Sequence, residues 1–381
     1  MSIGYLITLG VLGFFTLITL RPPRRPRVLA RAAYFMGLSV NEVPHLAIGL
    51  PLTAATIDTI ASGDFHLAWS SLLPIGGAAA VGAGVVAIAR RGTLAWPAVT
   101  EAIRVAGLSM DDRPRRWVWR TLLTPIPWRP RHVVRVAGLR YGDHRRNRLD
   151  VYHRRHRPSG GRVLVYLHGG GYYSGGKHRE GRALLHRLAA QGWVCVSANY
   201  RLRPSAGFED HLADAHSVLA WARTHASEYG GDPERVVMAG SSAGAHLTSL
   251  LALDSDTNLD AAICLYGYYG RYYGHTPVEP VTSTPLALPA AAAPPFLIAH
   301  GEYDTWTPVE AARSLADKLR TESTKPVVAI ELPGGQHGFD LWRSWRYSAV
   351  LAGIDTFLSH LDGPTNGTHS RSSTVDRGGH S

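Results

Sequence analysis

The apolar positions follow two different patterns along the chain. Up to residue 91 they come in long unbroken runs; from residue 132 short strand-like runs alternate with helical ones. Residues 3–20 carry no charge and are followed at once by Arg21, Arg24, Arg25 and Arg27. A signal peptide has its positive charge before the apolar run and a small-residue cleavage site after it. The reversed order predicts an uncleaved membrane helix. Residues 67–89 form a second uncharged run, closed by Arg90 and Arg91. Residues 43–61 are a weaker third candidate. They contain His45, Asp58 and two prolines, so a re-entrant or interfacial helix stays open there.

Residues 1–91 are thus expected to form a membrane anchor of about three helices. Arginines follow both the first and the last run, with Arg31 and Arg104 a little further on. The positive-inside rule puts both flanks in the cytoplasm. Three spans with the N-terminus outside satisfy both, which predicts an integral, multi-pass membrane protein with a cytoplasmic C-terminal body. Residues 92–131 read as a basic connector in which Trp117, Trp119 and Trp128 mix with arginines. Such a segment suits the lipid interface; packing of the tryptophans on the body is the equal alternative.

Strand-like runs in the body lie at 132–142, 148–153, 162–170, 193–200, 235–241, 260–267, 295–301 and 327–334. Helix-like runs lie between most of them and at 345–361. In the first, Leu184, Leu185, Leu188 and Ala189 make one apolar face. Alternating strands and helices predict an α/β fold with a mostly parallel sheet covered on both faces. The first two strands, joined by a short link, can be antiparallel. A single body over 132–362 follows, and 363–381 reads as a polar, disordered tail.

Charge sharpens the division. The net charge is +11, but residues 1–162 hold 23 Arg, no Lys and 8 acids, whereas the rest of the chain is net acidic. A basic excess beside apolar runs points to anionic lipid as the partner. No nucleic-acid motif accompanies it, so nucleic acid is not expected. Cys195 and Cys264 sit in apolar strand-like runs and read as buried free thiols. The 19 histidines show no metal spacing, and neither metal nor cofactor is expected. His153 and His156, among arginines, read as solvated surface.

Four motifs carry chemistry. Gly240-Ser-Ser-Ala-Gly244 places Ser242 between a strand and a helix, the setting of a nucleophile elbow. The pattern alone is weak, with roughly 0.3 chance matches in a chain of this composition, so its context matters. His168-Gly169-Gly170-Gly171 directly follows a strand. Its glycines can turn backbone N–H groups into a pocket, and acyl transfer needs such donors for the developing oxyanion. The expected donors are Gly170, Gly171 and the N–H of Ala243, with His168 supporting the loop. Asp304 follows the strand 295–301 and is the expected acid, with Glu302 and Asp340 as rivals. His337, in a glycine-rich loop after the strand 327–332, is the expected general base. The order Ser242, Asp304, His337 is that of α/β-hydrolases.

Together these motifs resemble the bacterial hormone-sensitive-lipase-like esterases, and within them the actinobacterial membrane-associated Lip-type carboxylesterases, over about residues 132–362. The resemblance implies an α/β-hydrolase fold and serine-dependent hydrolysis of short- to medium-chain carboxylic esters, without a metal. It assigns the triad to Ser242, Asp304 and His337 and the oxyanion hole to Gly170, Gly171 and Ala243. Two departures stand out. Many members have an acidic residue before the nucleophile, where this chain has Ser241, and the cap is short. Residues 266–295 could form a lid whose tyrosines line an acyl pocket or simply pack the surface.

Two other functions stay open. An arylformamidase-like amidase would use the same triad. A ligand-binding protein on a hydrolase scaffold, similar to the gibberellin receptors, would lack the histidine that this chain retains at position 337. The substrate is expected to be a small-molecule or lipid ester; the oligomeric state is open.

Overall fold

A computed structural model describes residues 2–65, 69–110, 124–156, 159–272 and 281–362. Trp117 and Trp119 of the expected connector, part of the expected lid and the expected tail lie outside the described residues.

The C-terminal body is built on one eight-stranded sheet. Its strands are β1 (Val133–Arg140), β2 (Arg148–Arg154), β3 (Gly161–Leu167), β4 (Val194–Ala198), β5 (Gly231–Ser241), β6 (Ala261–Leu265), β7 (Phe296–Gly301) and β8 (Val327–Leu332). They lie in the order β1-β2-β4-β3-β5-β6-β7-β8. β2 runs antiparallel to both neighbours, and the pairings from β4 to β8 are all parallel. The central strands are continuously apolar because both faces are covered: Val163–Leu167 and Val236–Ala239 are buried throughout. Cys195 and Cys264 are buried free thiols in β4 and β6.

Ten α-helices are described. α1 (Ile3–Leu20), α2 (Arg27–Glu42), α3 (Leu50–Ala61), α4 (Leu72–Thr93) and α5 (Ala95–Val105) precede the sheet. A π-helical stretch, His45–Gly49, leads into α3. The body adds α6 (Arg182–Gln191), α7 (Phe208–His225), α8 (Ala243–Leu253), α9 (Glu310–Glu322) and α10 (Trp345–Ser359). One apolar layer lies under α7, α8 and α9, the other under α5, α6 and α10.

α5 belongs to the body, although it lies in the expected connector. Ala95, Val99, Ala102 and Ile103 are buried along one stripe and join the layer of β8 and α10. A Cβ at Gly353 would lie 2.6 Å from Val99 Cγ1, so the glycine lets α10 approach α5. His153 also departs from expectation. It is buried, with its ring 5.7 Å from Tyr229 and Nδ1 2.8 Å from the Arg154 carbonyl oxygen. His156 is exposed.

Among the described residues, two helices are long and apolar enough to cross a membrane: α1, and the continuous stretch from α4 into α5. At about 1.5 Å per residue, the 18 residues of α1 reach about 27 Å. α2 and the helical run His45–Ala61 reach the same length and apolarity taken together, as a pair bent by 96°. α1 and α4 pack closely because Gly84 has no side chain; a Cβ there would lie 2.3 Å from Thr16 Cγ2. Their C-terminal ends meet where Arg91 donates to the Leu20 carbonyl oxygen at 2.8 Å.

Candidate active site

β5 ends at Ser241, α8 begins at Ala243, and Ser242 occupies the turn between them at φ 51°, ψ −115°. A non-glycine residue with positive φ is costly and persists only where its surroundings enforce it. Here two glycines make the turn possible. A Cβ at Gly240 would lie 2.4 Å from the backbone of Gly244, and one at Gly244 would lie 2.0 Å from the Leu167 carbonyl oxygen. The turn therefore brings the start of α8 hard against the end of β3.

The loops after β7 and β8 complete a hydrogen-bonded line. Ser242 Oγ is 2.9 Å from His337 Nε2, and His337 Nδ1 is 2.7 Å from Asp304 Oδ2. The Trp306 and Thr307 N–H groups donate to Asp304 Oδ1 at 2.8 and 2.7 Å. Burial pushes the Asp304 carboxyl up, but the adjacent His337 and His300 rings outweigh it and hold the group well below the usual carboxylate range. The sequence rivals are elsewhere. Glu302 accepts from the Gly334 N–H at 3.0 Å, and Asp340 belongs to a separate buried network.

The glycine loop after β3 runs directly against the serine, since a Cβ at Gly169 would lie 3.0 Å from Ser242 Cβ. Gly170 at φ 117° and Gly171 at φ 60° adopt backbone that side chains disfavour, and a Cβ at Gly170 would lie 2.1 Å from the Ser174 carbonyl oxygen. His168 is buried and stacked on Tyr200 at 4.3 Å, with Nδ1 2.6 Å from the Gly169 carbonyl oxygen. Burial drives its ring down to about 4, so it is neutral near pH 7.

Several neighbours had no sequence signal of comparable strength. Glu180 accepts from the Gly169 N–H, and its Oε2 also accepts from Ser241 Oγ at 2.9 Å. An acid thus reaches the residue before the nucleophile from a different part of the chain. Tyr166 donates to Ser241 Oγ at 2.9 Å and lies 3.3 Å from Asp340 Oδ2; Tyr266 donates to Asp340 Oδ1. Burial, then the Glu180 carboxylate, push the Asp340 carboxyl up to about 6. The tyrosines of the expected lid divide. All three of Tyr266, Tyr269 and Tyr272 pack in the core, Tyr269 and Tyr272 in one apolar layer and Tyr266 in the other, and the Tyr266 ring also meets His337 at 4.6 Å.

The fold and this line of Ser, His and Asp define an α/β-hydrolase with a serine elbow. The BD-FAE family model matches residues 149–279. Over 94% of both chains this one is 31% identical to the probable carboxylic ester hydrolase LipM of Mycobacterium tuberculosis. Esterase LipC of the same organism is 31% identical over 80% of this chain and 90% of its own. The chain belongs to this carboxylesterase family, and is an ester-cleaving hydrolase. Among solved structures it is similar to Thermogutta terrifontis esterase 2, with TM-score 0.52 and 26% identity over 59% of this chain and 93% of that one. The match to LipM extends well beyond the sheet-containing body and takes in helices that precede it.

Proposed function

We propose that the chain is a serine carboxylesterase in which Ser242 is the nucleophile, His337 the general base and Asp304 the group that orients the imidazole. The 2.9 Å contact between Ser242 Oγ and His337 Nε2 carries this reading. His337 takes the hydroxyl proton as Ser242 attacks the ester carbonyl, then returns it to the departing alcohol. Water, deprotonated by His337, adds to the acyl-enzyme and releases the acid. The N–H groups of Gly170, Gly171 and Ala243 are the donors assigned to the developing oxyanion, where one such donor is typically worth about 3–4 kcal/mol of barrier. Depression of the Asp304 carboxyl keeps it ionised beside the imidazolium. The related Thermogutta esterase is described both phosphonylated by cyclosarin and with butyrate bound, which supports a reactive serine and short acyl groups.

The N-terminal helices anchor this body to a membrane through three crossings: α1, the run from His45 to the end of α3, and α4. The meeting of the C-terminal ends of α1 and α4 at Arg91 and Leu20 supports this, because the chain between them must cross back once. Arg21, Arg24, Arg25, Arg27, Arg90 and Arg91 all lie at that end, which by the positive-inside rule supports a cytoplasmic body. Aryl esters of increasing acyl length, tested on the wild type and Ser242→Ala, test the catalytic assignment. Hydrolysis of short to medium chains is expected, with a loss of at least about 10³-fold in the variant. Equal turnover by the two proteins would refute it.

A further inference from the structure

The anchor does more than tether the body, because α2, the link before it and the end of α4 reach the catalytic loops. Arg24 donates to the Glu302 carbonyl oxygen at 3.4 Å, and the Arg24 and Arg91 guanidiniums lie over the Tyr303 ring at 5.8 and 5.6 Å. Thr305 Oγ1 donates to the Ala30 carbonyl oxygen at 2.9 Å. These contacts take hold of the loop that carries Asp304. α2 also meets the loop that carries His337. The Tyr34 ring sits edge-on to the imidazole at 5.8 Å and 5.6 Å from Trp306, and a Cβ at Gly338 would lie 3.3 Å from Tyr34 Oη. The far end of α2 is bound to the body by Glu42 and Arg346, paired at 2.5 Å and both buried.

The outer side of α2 is unlike that of an ordinary water-facing helix. Val28 is 76% exposed, Leu29 53% and Phe35 68%. Arg31 lies among them, with its guanidinium over the Trp306 ring at 5.1 Å. Aliphatic and aromatic side chains interleaved with arginine suit the boundary between headgroups and acyl chains. The orientation agrees. α2 stands at 96° to the helical run that follows it, so if that run crosses the bilayer, α2 lies along the surface.

We infer that α2 is the membrane-seated roof of the active site, and that the ester reaches Ser242 from the bilayer past this roof. The substrate class is therefore a bilayer-resident ester, with its hydrocarbon chain in the lipid and its carbonyl near the headgroups, and the occupant of the outer α2 face is lipid. This rests on the esterase reading above. Tyr34 acts through His337 as a positioning residue.

Two measurements on the full-length protein in vesicles of phosphatidylcholine and phosphatidylglycerol test the inference. First, p-nitrophenyl decanoate, a medium-chain ester that partitions into lipid, is held at fixed bulk concentration while its mole fraction in the vesicles is lowered tenfold with added lipid. Turnover is expected to fall with mole fraction. Turnover that ignores mole fraction overturns the inference. Second, Val28→Asp and Leu29→Asp are each compared with the wild type on that ester and on water-soluble p-nitrophenyl acetate. The ratio of decanoate to acetate turnover is expected to fall at least tenfold. An unchanged ratio overturns the inference, whereas failure of the wild type to hydrolyse acetate would overturn the esterase reading itself and this inference with it. Labelling of Ser242 by a small soluble fluorophosphonate at the wild-type rate shows that a variant has kept its assembled site.

Discussion

His300 Nε2 lies 3.3 Å from Asp304 Oδ2, the same oxygen that meets His337, and 2.8 Å from the Thr307 carbonyl oxygen. Asp304 thus sits between two imidazoles. A ring hydrogen shared between these two acceptors pins the Thr307 turn and the carboxylate together. His300→Gln is expected to lower kcat about tenfold with KM nearly unchanged, because the acid is displaced and not the acyl pocket. Steady-state kinetics on p-nitrophenyl butyrate check this; an unaltered kcat would show that the turn holds Asp304 without the ring.

The elbow glycines are a steric requirement. Gly244→Ala forces a methyl group toward the Leu167 carbonyl oxygen, 2.0 Å from an ideal Cβ, and backbone cannot swing aside as a side chain can. Activity is expected to fall by at least about 10²-fold, since even a 1 Å misplacement can cost that much. Thermal unfolding should also come at lower temperature. A variant with full kcat and unchanged Tm would contradict the close approach of α8 to β3.

Asp340 gives stability a pH signature. Its ordinary value is 3.8, and in the folded protein burial and Glu180 push it up to about 6. Between those values the folded chain keeps a proton that the unfolded chain has released. The unfolded state then binds fewer protons, so this group's contribution to stability falls as pH rises from about 4 to about 6 and is level above that. Asp340→Asn removes the titration. Its Tm deficit relative to the wild type should therefore shrink as pH is raised across that window, whatever its absolute size. A deficit that grows over the same range would rule out the raised carboxyl.

The buried pair of Glu42 and Arg346 joins the N-terminal helices to the body. Removing one partner of such a pair leaves a desolvated charge and commonly costs about 3–5 kcal/mol, whereas replacing both with apolar groups costs far less. Glu42→Leu is expected to destabilise the protein strongly, and adding Arg346→Met should recover much of the loss. Denaturation midpoints of the single and double variants in detergent check this. A double variant less stable than either single one would mean that the two charges do not compensate each other.

Much of the site was legible in the sequence because its chemistry is tied to local backbone. The Ser242 elbow, the glycines at 169–171 and the loops after β7 and β8 each follow a short apolar strand, and a parallel sheet gathers the C-terminal ends of its strands on one edge. The burial of β3 and of the second half of β5 agrees with the two-sided cover expected from the alternation of strands and helices. Less legible was α5, whose stripe of Ala95, Val99 and Ile103 is as amphipathic as an interfacial helix; only its fit beside Gly353 makes it part of the body.

Composition and spacing thus determined which residues could do acyl-transfer chemistry, in what order, and that two uncharged runs precede them. Tertiary structure decided which of the candidate acids meets which partner: Asp304, the acid expected from the sequence, faces His337, whereas Asp340 pairs with Tyr266 and Glu180 reaches Ser241. It also decided that Tyr34, more than 200 residues before the nucleophile in the chain, lies against the imidazole. The reason is physical. Strand, turn and helix signals arise from neighbours along the backbone, whereas the pairing of buried polar groups depends on how helices and loops distant in sequence close around one another, which no local pattern encodes.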